Sequence, residues 1–361
     1  MHTVRLPISK SIANRLLILQ ALHGDPLLGV SDAYLPEDVR TLHDALLTIL
    51  SHKDSAATVT LNVRNCGTAM RFLTAFCARL PSPATFILDG DPRLRQRPIA
   101  QEVDALRQLG ADIIYIGTEG FPPLRINGKH LSEHRITTTD TTTFLQSTQF
   151  VSALLLIGKD VQTNDPSPYI RMTRRLIALY EEHSAQNSDT RLLLERDWSS
   201  AAFWYEYIAL HGGEIFLQDL QPSTLQGDQC VADLFEPLGV QTRYLNEPQQ
   251  KGVMLSKTDT PAPKNYTADF SDCPDLYPAL AITCERLRIS LQAQGTERLP
   301  FKESNRLQSV KEHRPHHDHR IAMALLAADL PCDDTLCIAK SYPDFLQQLN
   351  NIKHPIQKEV S

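Results

Sequence analysis

The sequence predicts a mixed α/β (α+β) protein of two domains, and three observations carry that prediction. Helical 3.6-residue spacing of apolar positions alternates with short β-branched runs along the whole length. The 361 residues correspond to about two domains at the usual size. A composition of 42% apolar and 22% charged residues is ordinary for globular chains and supplies enough apolar side chains for sizeable cores.

The spacing predicts helices over Asp38 to Leu50, Thr68 to Leu80, Pro98 to Leu109, Phe144 to Leu156, Ser199 to Leu210, Asp228 to Leu238, Asp275 to Cys284 and His319 to Leu330. Strands are predicted between them, at Thr58 to Val63, Thr85 to Leu88, Asp112 to Ile116 and Glu214 to Leu217. Asn164 to Pro168, Asn246 to Gln250 and Thr258 to Lys264 read as loops or linkers. Asp104-Ala-Leu-Arg-Gln-Leu-Gly110 and Asp233-Leu-Phe-Glu-Pro-Leu-Gly239 share an Asp, a Leu and a closing Gly at one spacing, a weak internal repeat. Both read as helices closed by a C′ glycine before a strand.

Charge and cysteine usage narrow the class of function. A net charge of −6 from 36 basic and 42 acidic residues argues against a chain built to coat nucleic acid, so no nucleic-acid partner is expected. Seven scattered cysteines with no CxxC pair form neither a disulfide framework nor a zinc knuckle and read as reduced core thiols. The amino terminus has no apolar signal region, and no apolar run approaches the roughly 20 residues that span a bilayer. A cytoplasmic protein without a membrane partner is expected.

Several segments place cations at helix starts, the arrangement that binds small anions. Leu6-Pro-Ile-Ser-Lys-Ser-Ile-Ala-Asn-Arg15 runs into an apolar helix with Lys10, Ser11 and Arg15 clustered there; alone it also fits a capped surface helix. Asn65-Cys-Gly-Thr-Ala-Met-Arg71 opens a second helix, with Gly67 free of a side chain that would keep a ligand from the backbone. In Gly90-Asp-Pro-Arg-Leu-Arg-Gln-Arg-Pro98, an extended backbone would point Arg93, Arg95 and Arg97 to one face, towards an anion or simply into water.

Ser147, Thr148 and Gln149 open a further helix, and Asp275 stands at a helix start, where it either caps or serves as a base. Lys302 and Arg306, four apart beside Glu303, would share a helical face. His316-His-Asp-His-Arg320 has imidazoles and a carboxylate but not the spacing of a zinc site, so no metal is expected. Asp318 and His319 are expected to cap the next helix and to aim Arg320 at a ligand.

Taken in order, LPISKS…NR, NCGTAMR, GDPRLRQRP, STQF, ERDWSSA, QGD, CPD, FKESNRL, DHRIAM and IAKSYPDF resemble the signature blocks of the 5-enolpyruvylshikimate-3-phosphate synthase family over nearly the whole chain. The arginine-rich block separates the chain from the sister UDP-N-acetylglucosamine enolpyruvyl transferases. The resemblance implies two domains, each an inside-out α/β barrel of three βαβαββ repeats, with the substrates in the cleft between them. It places one domain at 9–223 and the other at 1–8 plus 224–361, with hinges near Ser9 and Ser223.

The implied reaction joins shikimate 3-phosphate to phosphoenolpyruvate and releases phosphate, with no cofactor, in a monomer. Carried over block by block, Lys10, Ser11, Arg15, Ser147, Thr148, Gln149, Asp275 and Lys302 would bind shikimate 3-phosphate. Lys10, Gly67, Arg97, Gln149, Arg306, Arg320 and Lys340 would hold phosphoenolpyruvate. Asp275 would take the 5-hydroxyl proton, Glu303 would protonate the methylene carbon, and Lys10 would complete the catalytic set.

The chain departs from the family pattern at Ile8, at Pro166 and Ser167, and at Arg298. Only 14 residues separate Glu303 from Asp318, where the family has a further helix and strands needing about 30 or more. A silent relative acting as a scaffold would have lost the catalytic residues, which are all present. An RNA 3′-phosphate cyclase-like enzyme would favour a basic surface and lacks these blocks.

Overall fold

The computed structural model describes residues 2–29, 35–137, 148–186, 188–247 and 249–354. In chain order the elements are β1 (His2–Arg5), α1 (Lys10–His23), α2 (Glu37–His52), β2 (Thr58–Asn62), α3 (Gly67–Arg79), β3 (Thr85–Asp89), α4 (Ala100–Gln108), β4 (Asp112–Tyr115) and β5 (Leu124–Asn127). There follow β6 (Ile136–Thr137), α5 (Thr148–Leu156), β7 (Val161–Gln162), α6 (Pro168–Ala185), α7 (Trp198–His211), β8 (Glu214–Gln218), α8 (Val231–Phe235), β9 (Val240–Glu247) and β10 (Gln250–Lys257). The chain ends with β11 (Asn265–Asp269), α9 (Tyr277–Arg286), β12 (Ser290–Gln294), α10 (Arg306–Glu312), α11 (His319–Ala327) and α12 (Phe345–Lys353).

The fold is mixed α/β, and its two four-stranded sheets are open. They have one topology: β2-β3-β5-β4 and β1-β8-β10-β9, with the first pair parallel and the other two pairs antiparallel. In the first sheet β2 and β3 are joined through α3 and β3 leads through α4 to the β4–β5 hairpin; in the second, β1 pairs with β8 although residues 6–213 lie between them, and β8 leads through α8 to the β9–β10 hairpin. The weak repeat of the sequence occupies the same place in both. Gly110 and Gly239, at φ of 93° and 81°, turn the chain out of the second helix into the hairpin, a conformation that glycine adopts without a Cβ clash.

Two further parallel pairs, β6 with β7 and β11 with β12, are shorter versions of the same motif. Among the described residues neither is followed by a hairpin. The interval from Glu303 to Asp318 holds α10 and no strand.

The chain forms two compact units: residues 1–9, 34–37 and 195–361, and residues 10–33 and 38–194. The second boundary lies at Leu194 and Glu195, not near Ser223, because α7 belongs with the carboxy-terminal half. Its Trp198, Phe203, Trp204 and Ile208 pack in one core with Val4, Leu6, Leu217 and Phe235. Burial of these large apolar side chains is worth about 1.5 to 3 kcal/mol each.

The other unit buries Leu16, Leu42, Phe72, Phe76, Phe86, Leu106, Phe150 and Leu176. Of the seven cysteines read as core thiols, four are buried, whereas Cys230, Cys332 and Cys337 are only half-buried. No described helix is long and apolar enough to cross a membrane.

Candidate active site

The unit containing residues 195–361 gathers charge around one carboxylate. Asp275 lies two residues before α9 and does not cap it, since Leu276 is the cap residue and carries no capping side chain. Instead Asp275 accepts a hydrogen bond from Arg306 Nη1 at 2.6 Å and lies 2.9 Å from Arg320 Nη2 and 3.3 Å from Lys302 Nζ. Burial would raise the Asp275 pKa, but Arg320, Lys302 and Arg306 together hold it well below the carboxylate range.

The shared helical face expected for Lys302 and Arg306 is not formed. Lys302 ends a 3-10 turn and Arg306 opens α10, so their convergence is tertiary. Arg306 is almost wholly buried and bridges two acids, its Nε donating to Asp318 at 2.8 Å. Burial disfavours its charge, yet Asp318 and Asp275 outweigh burial and push the guanidinium pKa up. Asp318 caps α11 as the sequence implies, accepting from the Arg320 backbone N–H at 3.0 Å.

His319 does not act as a cap. Its Nδ1 lies 2.7 Å from Glu303 Oε2, and Lys340 Nζ lies 3.2 Å from Glu303 Oε1. Glu303 is therefore held between an imidazole and an ammonium, a geometry in which a proton can be held and passed. Glu303, Asp318 and His319 also bring three metal-type ligand atoms within 4.8 Å of one another. Lys340 on Glu303 and Arg306 on Asp318 already neutralise both carboxylates, so the donor set does not fit a divalent cation.

Asp228 went unrecognised as a site residue in the sequence. It is buried, accepts a hydrogen bond from the Ser199 hydroxyl, and is raised to about 7 by burial and then by the charge of Asp275. Its signal was the Gln226-Gly-Asp228 turn, where Gln226 also accepts from the Trp198 backbone at 3.0 Å and donates to Glu195 at 2.8 Å.

The unit of residues 10–33 and 38–194 carries a second cationic set. Lys10 opens α1 and pairs with Asp38 at 3.0 Å, and the Asp38 carbonyl accepts from Cys66 Sγ at 3.8 Å, next to Gly67. Arg15 is buried behind Ser11: its Nη1 donates to the Ser11 carbonyl at 2.8 Å and its Nε to Thr173 at 2.7 Å, and burial lowers it to about 10. At Gly67 a Cβ would stand 2.4 Å from Arg97 Nη1 and 2.6 Å from Arg71 Nη1, so two guanidinium groups press on the glycine backbone.

Arg71 is the second functional candidate the sequence left unassigned. It donates to the Gly67 carbonyl and to Gln149 Oε1, each at 3.1 Å, while Gln149 Nε2 donates to Thr68 at 2.9 Å. Burial and the nearby Arg97 lower Arg71 to about 9. Thr148 begins α5, and Ser147 lies outside the described residues. The arginine-rich block is not extended: Leu94 is buried and draws Leu94–Gln96 into a 3-10 turn, Arg95 turns away to Asp89 at 2.6 Å, and Arg97 alone reaches Gly67.

A family model, EPSP synthase (3-phosphoshikimate 1-carboxyvinyltransferase), matches residues 1–313. The 3-phosphoshikimate 1-carboxyvinyltransferase of Bacteroides fragilis strain YCH46 is 32% identical over 407 aligned positions, covering 96% of this chain and 94% of the relative. That of Colwellia psychrerythraea is 28% identical and covers 96% of each chain. Among solved structures, EPSP synthase from Acinetobacter baumannii superposes with a TM-score of 0.66 at 19% identity, over 97% of this chain and 95% of that one, a likeness of fold.

Proposed function

The chain belongs to the EPSP synthase (3-phosphoshikimate 1-carboxyvinyltransferase) family and transfers the enolpyruvyl group of phosphoenolpyruvate to the 5-hydroxyl of shikimate 3-phosphate, and we propose that Asp275 and Glu303 carry its acid–base chemistry. The observation that carries this reading is the convergence of Arg306, Arg320 and Lys302 on Asp275. While those cations lean on it, Asp275 is a weak base. An anionic substrate that draws Arg306 and Arg320 to its phosphate and carboxylate removes that stabilisation, and Asp275 becomes basic enough to take the 5-hydroxyl proton.

Glu303, fed by His319 and steadied by Lys340, protonates the methylene carbon as the 5-oxygen bonds to the adjacent carbon. In the tetrahedral adduct the new methyl group then gives a proton back to the Glu303 carboxylate, its C–H electrons form the carbon–carbon double bond, and the carbon–oxygen bond to phosphate breaks with its electrons leaving on phosphate. Lys340 and the two arginines stabilise the charge that develops on the phosphate. Lys10 and Ser11, backed by Arg15, together with Ser147, Thr148, Gln149 and Lys302, hold shikimate 3-phosphate. Lys10, Gly67, Arg97 and Gln149 join Arg306, Arg320 and Lys340 on phosphoenolpyruvate.

The two sheets of like strand order and the two shorter parallel pairs support a repeated βαβαββ plan in each unit, which the inside-out barrel extends to three copies. Turnover in deuterated water tests the chemistry. Deuterium in the product methylene is the expected result, since the methyl intermediate carries one solvent-derived hydrogen; a product free of deuterium contradicts addition followed by elimination.

A further inference from the structure

Arg71 is a buried cation that the reaction scheme does not use. It stands one turn into α3, and its side chain runs back along the helix so that Nη1 donates to the Gly67 carbonyl at 3.1 Å. The same nitrogen donates to Gln149 Oε1 in the first turn of α5 at 3.1 Å, and Nη2 approaches the carbonyl of Pro98, the residue after Arg97, at 3.5 Å. The guanidinium carbon lies 5.2 Å from the centre of the Phe150 ring. One side chain thus ties the openings of α3 and α5 to the segment that carries Arg97.

Stability does not account for a guanidinium at this place. It is 5% exposed, its Nε has no hydrogen-bond partner among the described residues, and the like charge of Arg97 disfavours its own. An apolar side chain against Phe150 would escape all three penalties. What the guanidinium alone supplies is donors without acceptors. The Gln149 amide must therefore turn its oxygen to Arg71, since an amide nitrogen there would set donor against donor. The nitrogen falls on the other side, where Nε2 donates to the Thr68 hydroxyl at 2.9 Å.

We propose that Arg71 is a positioning residue that fixes the polarity of the Gln149 amide, so that Gln149 meets the two anionic substrates with N–H and not with C=O. The inference rests on the reading of Gln149 as a residue that touches both shikimate 3-phosphate and phosphoenolpyruvate. An amide rotated by half a turn about its last bond has the same shape, but it presents a carbonyl oxygen where a phosphate or carboxylate oxygen arrives, and two acceptors repel. Arg71 closes off that orientation before either substrate binds, so the site is organised in advance.

The test is a double-mutant cycle read in KM for each substrate, with kcat followed separately. Arg71→Met keeps an unbranched side chain against Phe150 and removes every donor. KM for both substrates should rise about tenfold or more, the usual weight of a hydrogen bond with a charged partner, with a smaller fall in kcat. Gln149→Ala should raise both KM values by itself, and adding Arg71→Met to it should change them by less than about threefold, because the residue through which Arg71 acts has gone. A merely structural role would lower the melting temperature without this coupling in KM, and a direct contact of Arg71 with substrate would make the two rises multiply. Rises that multiply overturn the inference.

Gln149→Glu tests the polarity itself. The carboxylate keeps an acceptor for Arg71 and loses the N–H donors, so the chain should melt at or above the wild-type temperature while KM for both substrates rises about tenfold or more. Unchanged KM values in that variant overturn the inference, since an acceptor would then serve as well as a donor. Where Arg71→Met does not fold, Arg71→Lys takes its place in the cycle: it keeps the charge and loses the planar fork, and the same absence of further cost in the Gln149→Ala background is expected. Turnover with multiplying costs removes this inference and leaves the functional reading standing, whereas a chain that never turns over removes both.

Discussion

Arg306 Nη1 donates to Asp275 Oδ1 at 2.6 Å, joining the start of α10 to the acid that precedes α9. With Arg320 and Lys302 on the same carboxylate, this contact turns a buried acid into a base whose strength depends on what else the cations hold.

Asp275→Asn removes the proton acceptor while keeping shape and hydrogen-bonding capacity. Turnover should fall by about 10² to 10⁴, the usual worth of a positioned general base, with shikimate 3-phosphate binding largely intact. Steady-state kinetics beside calorimetric binding check this, and wild-type-like kcat in the variant would refute the assignment.

Gly67→Ala sets a methyl group 2.4 Å from Arg97 Nη1 and 2.6 Å from Arg71 Nη1, both at the ends of flexible side chains, so the fold survives and the arginines move. KM for phosphoenolpyruvate should rise by about tenfold or more, as one methyl group in a close pocket commonly costs. Glyphosate is expected to inhibit competitively with phosphoenolpyruvate, and this variant should weaken that inhibition. An unchanged inhibition constant would show that Gly67 does not line the pocket.

The pair of Arg306 with Asp318 is buried, at 2% and 0% side-chain exposure. Asp318→Ala leaves the Arg306 Nε buried without its acceptor, with Asp275 the remaining acid on that guanidinium, and uncaps α11, a loss of about 3 kcal/mol measurable by urea denaturation. Arg95→Ala, which breaks an ion pair at a half-exposed, solvent-screened side chain, should cost far less. Equal costs for the two would mean that burial does not set the strength of these pairs.

Glu206 lies fully buried on α7, with neither carboxyl oxygen hydrogen-bonded among the described residues, and burial raises its pKa well above the ordinary 4.5. The folded carboxyl stays neutral while the unfolded one ionises, so stability is full below pH 4.5 and falls as pH rises from there towards the raised folded value. Glu206→Gln should remove that slope, and Glu206→Leu should add about 1 to 3 kcal/mol at neutral pH. Thermal melts across pH would contradict this if wild type and Gln variant ran parallel.

What the sequence made legible follows from how local each feature is. The opening of α3 and the capping of α11 by Asp318 depend on neighbours within one turn, and both were readable. Helix α6 was missed because Pro166-Ser-Pro168 reads as a loop, whereas Pro168 is its first residue and Ser167 its cap. The arginine-rich block misled because its conformation is set by burial of Leu94, a tertiary fact. Arg71 and Asp228 lie inside the NCGTAMR and QGD blocks, but only the packing around α3 and α7 shows that Arg71 faces Gln149 and that Asp228 faces Ser199.

The most direct measurement is phosphate release by the purified chain given shikimate 3-phosphate and phosphoenolpyruvate, each omitted in turn, with EDTA present throughout. Release that requires both substrates and persists in EDTA is the predicted result. No release from a chain that still melts cooperatively would contradict the assignment of enolpyruvyl transfer to these residues.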